Sequence, residues 1–152
     1  MAAIDFPKGL PLPLQDSYSL NTIDPMARTQ MVTGRARQRV RHSYVPTFVS
    51  AAFLFNQDQA SLFEAWYART LGNGVEWFNC PLQTAEGLRV YEARFTQIYE
   101  GPSLVQMAFW RYSVRLELRQ RPLIPEGWEN FPGLWLGKSI IDVAINREWP
   151  KA

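Results

Sequence analysis

The chain has 152 residues, 47% of them apolar and 20% charged, with a formal net charge of +2. That suits one domain with appended segments and enough material for a core, and it is too little charge to argue for nucleic acid alone. Cys80, the one cysteine, excludes an intrachain disulfide framework or a cysteine-built metal site and fits synthesis in a reducing cytosol.

No apolar run approaches the length of a membrane-spanning helix. The first eight residues carry Asp5 and lack the basic-then-apolar order of a signal peptide. Residues 1–27 read as an extended arm, because Pro7, Pro11, Pro13 and Pro25 break helix and sheet alike. Such an apolar arm lies on its own domain or on a neighbour. Residues 28–47 read as strand. If that stretch is extended, Arg35, Arg37, Arg39 and Arg41 share one face, while Val40, His42 and Tyr44 take the other. A second apolar strand is expected over 49–55.

Asn56 with Gln59 three residues on has the form of a capping box. Leu62, Phe63, Trp66, Tyr67 and Leu71 then recur at helical spacing, so a helix is predicted over 57–71, stopped by Gly72 and the Asn73-Gly74 pair. Short strands are expected at 75–78, ending at Pro81, and at 87–99, with a turn at Gly101-Pro102. The clearest alternation spans 104–119. It puts Ala108, Trp110, Tyr112, Val114, Leu116 and Leu118 on one face and Arg111, Ser113, Arg115, Glu117 and Arg119 on the other, as in a half-buried strand. Beyond Pro122 the chain is rich in Pro, Gly and Trp, with a possible strand at 139–145. Trp128, Trp135 and Trp149 stand outside strong periodicity there. Anchoring to a partner and docking on the same chain are both open for them.

The expected fold is therefore mainly β: a β-sandwich or small barrel with one flanking α-helix and extended N- and C-terminal arms. The expected divisions are an arm at 1–27, a domain at 28–122 and a docking arm at 123–152.

Chemistry is hard to place on this pattern. Any histidine-based constellation must use His42, with Ser43 or Cys80 as nucleophile, and nothing around either resembles a reactive turn. Gly72-Asn73-Gly74 follows a helix, whereas phosphate loops precede one. Glu76, Glu92, Glu100 and Glu117 are available as acids, but no spacing singles out a pair. The reading is that the chain is not an enzyme, with no catalytic, cofactor-binding or metal-binding residues. The arginine row is the most informative charged feature. Pairing to carboxylates across a subunit contact is favoured for it, ahead of a plain solvated face and of phosphate binding.

Residues 34–122 resemble a known family. They contain, in order, the Arg-rich segment Gly34 to Tyr44, a strand, a helix holding Phe63-Glu-Ala-Trp66, the closing Leu71-Gly-Asn-Gly74, the aromatic Val75-Glu-Trp-Phe78, and the alternating Trp110 to Leu118. This order and spacing resembles the lambda-type phage minor tail protein of the tail tip and, more distantly, the N-terminal domain of distal tail proteins. The resemblance implies a β-sandwich with one flanking helix, assembled as a ring of six copies between tail tube and tip. It implies a virion protein made in the bacterial cytoplasm, contacting itself and the neighbouring tube and tip proteins, and meeting nucleic acid only as DNA passing through the channel. Arg35, Arg37, Arg39, Arg41, Trp128, Trp135 and Trp149 are then the candidate subunit contacts. The arms at both ends depart from the short members of that family and leave tail-tube, tail-terminator and head–tail connector roles open. From other classes come a β-barrel nucleic-acid-binding module using the arginine row and a carbohydrate-binding module using surface tryptophans.

Overall fold

Residues 47–55 alternate so that Thr47, Val49, Ala51, Phe53 and Phe55 are buried, and this period-two pattern builds the central strand of the sheet. In the computed structural model, which describes residues 2–138, nine strands and the helix α1 occur within residues 1–121 in the order β1 (Ile4–Asp5), β2 (Ser19–Thr22), β3 (Met26–Thr29), β4 (Arg37–Val40), β5 (Thr47–Phe55), α1 (Gln57–Ala65), β6 (Phe78–Thr84), β7 (Gly87–Phe95), β8 (Glu100–Val105) and β9 (Phe109–Leu118). Seven strands form one sheet in the order β1-β6-β7-β9-β5-β2, with β8 also on β9, and β3 pairs only with β4. The fold is mainly β and sandwich-like, with one flanking helix and no closed barrel. The chain divides into two compact units, at residues 1–121 and 122–152.

In the first unit, β5 runs antiparallel to β9 over nine residue pairs, from Thr47↔Leu118 to Phe55↔Trp110. The buried faces of the two strands therefore coincide. β7 shares only three pairs with β9 and then diverges, so that β1, β6 and β7 form a wing facing the β5–β9 layer. Phe6 just after β1 stacks on Phe53 at 5.5 Å between ring centroids. Phe63 of α1 fills the centre and is wholly buried, with the rings of Phe55 at 5.2 Å and Tyr112 at 5.1 Å. Six aromatic rings lie around it. Much of the aromatic excess is thus spent in this core.

The helix begins with the expected box: Asn56 Oδ1 accepts from the Gln59 N–H, and Gln59 Oε1 accepts from the Asn56 N–H. It continues as a π-turn, Trp66–Thr70, in which the Leu71 N–H reaches the Trp66 carbonyl. The wider turn brings Trp66, Tyr67 and Leu71 together onto the core. Leu62, expected on that face, is 48% exposed, because it lies one helical step away from Phe63 toward solvent.

Several boundaries differ from expectation. Residues 28–47, expected as strand, hold the end of β3, a loop at 30–36 and β4, and the strand expected from 49 begins at Thr47. Residues 104–119 are two strands, joined by a tight turn in which Gln106 and Met107 both take positive φ, 52° and 61°. Alternation by itself does not reveal a turn built of non-glycine residues. Gly101-Pro102 lies inside β8 at a shift of register. A Cβ on Gly101 would stand 2.6 Å from the Arg111 carbonyl oxygen, so only glycine fits there. The strand expected at 75–78 begins at Phe78 and runs through Pro81. Asn79 accepts from the Phe6 N–H, so Asn79 and Pro81 turn their main-chain polar groups to the β1 side. β1 pairs no further than Asn79, and no donor is needed at Pro81. Finally, β7 stops at Phe95, short of residue 99.

The N-terminal segment is extended and lies on its own unit. Besides β1 and β2, the Leu14 N–H donates to the Ala52 carbonyl, and Arg111 pairs with Asp16 at 2.7 Å. In the second unit, a 3-10 turn at Trp128–Asn130 is followed by a helical stretch at 132–138. The strand expected at 139–145 lies outside the described residues.

Candidate interaction surfaces

Residues 19–55 form one long antiparallel hairpin in two parts. The near part, β2 on β5 from Ser19↔Ser50 to Thr22↔Thr47, belongs to the sheet. The far part, β3 on β4 from Met26↔Val40 to Thr29↔Arg37, pairs with no other strand among the described residues. Between them the Ile23 N–H donates to the Pro46 carbonyl, and the Arg41 and His42 N–H groups donate to the Pro25 carbonyl. From residue 26 to 44 every side chain is exposed except Ala27 and Ala36, which are half-buried. An isolated two-stranded ribbon is marginal in water. This one is held by its ladder and its base.

The register decides where the arginines go. Arg37 and Arg39 lie opposite Thr29 and Ala27 and share a face. Arg35 and Arg41 flank the strand rather than extend it. Gly34, at φ 96°, bends the chain just before Arg35, and Arg41 falls where the ladder gives way to the Pro25 contact. The expected row of four is thus a pair with two flanking cations. Arg28, which the sequence reading missed, faces Gln38 on the opposite side; only the strand register could have revealed it. None of the five has an ion-pair partner among the described residues. Met26, Met31, Val32, Val40 and Tyr44 are exposed beside them, Val40 at 74% and Tyr44 at 83%.

The outer face of the sheet is organised differently. Arg94 donates to Glu117 at 2.8 Å and Arg119 to Glu92 at 3.1 Å. Both guanidiniums lie over the Trp77 ring, at 4.6 and 5.6 Å, and Arg115 lies over Phe48 at 5.1 Å. Glu92 and Glu117, available as acids from the sequence, are therefore engaged within the chain. Glu100 and Glu76 are exposed and have no ion pair among the described residues.

In the second unit, Trp128 and Trp135 pack on each other at 5.8 Å, and the Lys138 ammonium lies 3.3 Å from the Trp135 ring centroid. Trp135 is half-buried and Trp128 is exposed. Leu123, Phe131, Leu134 and Leu136 are 58–76% exposed. Trp149 lies outside the described residues.

The groups weighed for chemistry are scattered. His42 stands exposed at the ribbon base, whereas Cys80 is buried in the core and its thiol is pushed up to about 12 by desolvation. Glu64 accepts from the Tyr112 hydroxyl at 2.9 Å; burial first, and this carboxylate second, raise the Tyr112 pKa. Among the described residues no three His, Cys, Asp or Glu side chains gather as a metal site, and no helix is long and apolar enough to cross a membrane.

What fold and surface define together is a small β-rich chain with one projecting cationic ribbon. Comparison with protein-family models and with curated proteins finds no match.

Proposed function

We propose that this chain is a structural protein of a long-tailed bacteriophage: a minor tail protein that forms a ring of six at the distal tail, between tube and tip. The observation that carries the reading is the ribbon at residues 26–44, a β-arm of cationic and apolar side chains whose strands pair only with each other among the described residues. Exposed large apolar side chains beside unpaired guanidiniums are what a subunit contact needs. The exposed Leu123, Phe131, Leu134 and Leu136 offer a second such surface. The resemblance carried by residues 34–122 supplies the tail, and the mainly β fold with one helix agrees with it. Tube, terminator or connector positions use the same physics at another level of the tail.

The test is immunogold electron microscopy of phage particles with antibodies against the purified chain. Label at the distal tail end is the expected result; label at the head–tail junction or along the tube moves the position, and unlabelled virions refute the reading. A second reading is favoured by one feature, the absence of any carboxylate from residues 26–44: a nucleic-acid-binding ribbon. It requires DNA affinity that falls steeply with salt.

A further inference from the structure

The charge of this chain is divided between two regions. Residues 26–44 contain five of its sixteen cationic side chains and none of its fourteen carboxylates, so the ribbon carries +5 and all other residues together −3. The ribbon also exposes two large apolar groups at its tip, Met31 at 53% and Val32 at 104%. A surface made only for phosphate has no use for these; a protein surface with apolar and acidic character does.

The first unit carries such a surface. A groove of about 450 Å³ lies between residues 73–75 and 94–98, lined by Tyr67 and Phe95 and by the ion-paired Arg94 and Glu117, so that its own lining carries no net charge and any acidity comes from carboxylates outside it. Its rims present Val75 and Ile98, each 67% exposed. Glu76 follows Val75 directly, and Glu100 stands two residues beyond Ile98 beside an adjoining pocket that shares Gln97; both are among the exposed carboxylates that have no ion pair among the described residues.

We infer that the ribbon of one copy docks in this groove of a second copy, Met31 and Val32 covering Val75 and Ile98 while Arg37 and Arg39 meet Glu76 and Glu100. The contact joins two different patches, so it is head-to-tail and generates a ring when its rotation closes. It rests on the reading that the chain self-assembles, and not on where in a virion it does so.

Sedimentation equilibrium of the full chain tests it, with the Arg37→Glu/Arg39→Glu variant, the Glu76→Arg/Glu100→Arg variant, and an equal mixture of the two. Wild type should associate in the micromolar range. Each variant alone should associate at least about tenfold more weakly, with an unchanged circular dichroism spectrum. The mixture should recover association, because each reversed surface then meets a complementary one. A monomeric wild type, variants that associate as well as wild type, or a mixture without recovery each overturns the contact. If association and recovery are seen while virions carry no label, the docking stands and the phage reading falls.

Discussion

Two sets of arginines on the first unit are solved in opposite ways. On the outer face of the sheet, Arg94, Arg111 and Arg119 each reach a carboxylate of their own chain, and Arg115 lies on a phenyl ring. On the ribbon, Arg28, Arg35, Arg37, Arg39 and Arg41 reach none among the described residues. The sheet brings an acid to these cations, because cross-strand pairing puts Arg94 opposite Glu117 and the N-terminal segment carries Asp16 to Arg111. The two-stranded ribbon offers only one partner strand, and that strand holds no acid. Arg37 and Arg39 stand roughly 7 Å apart along it, a repulsion of about 0.6 kcal/mol in water. That is small enough to leave the fold intact and large enough to favour an incoming acidic surface. One set is satisfied within the chain, while the other reaches no carboxylate among the described residues.

Several substitutions would break or sharpen this contrast. Phe63→Ala empties the centre of the core and should cost about 3–5 kcal/mol in urea unfolding. Leu116→Ala, also buried, should cost about 2–5 kcal/mol, and a loss below about 0.5 kcal/mol would place Leu116 at the surface. Gly101→Ala forces a Cβ onto the Arg111 carbonyl and should cost more than about 1 kcal/mol, with the β8–β9 amides losing hydrogen-exchange protection. Glu117→Gln weakens one partly exposed pair and should cost at most about 1 kcal/mol. Smallest of all, Arg37→Ala/Arg39→Ala should shift stability by less than about 0.5 kcal/mol while lowering incorporation into tails. Normal incorporation at wild-type yield would return these arginines to a solvated face.

Cys80 gives an independent probe of the body. Its folded-state pKa is raised, so the folded chain holds the proton where the unfolded chain has lost it. The stabilisation is complete below the ordinary value of 9.0 and is lost as pH rises from there toward about 12. At neutral pH the thiol should resist a disulfide reagent in the folded chain and react on unfolding in urea. Prompt labelling of the native protein would contradict its burial.

The sequence by itself determined the local elements whose signal is carried by neighbouring residues. The Asn56–Gln59 box and the 3.6-residue recurrence of Phe63, Trp66 and Tyr67 located the helix, and the alternation from Tyr112 to Leu118 identified the strand face that turns to the core. It also grouped Arg35, Arg37, Arg39 and Arg41 as one row, of which the strand register keeps only Arg37 and Arg39 on a common face. Tertiary structure alone decided what those elements meet. The Gln106-Met107 turn carries no glycine to announce it, and Pro81 is tolerated only because β1 ends beside it. The separation of the ribbon from the sheet, the placing of Arg28 on its far side, and the commitment of Glu92 and Glu117 to Arg119 and Arg94 all depend on strand register. Register is set by contacts between residues far apart in the chain, and the period of a single strand does not encode its partner.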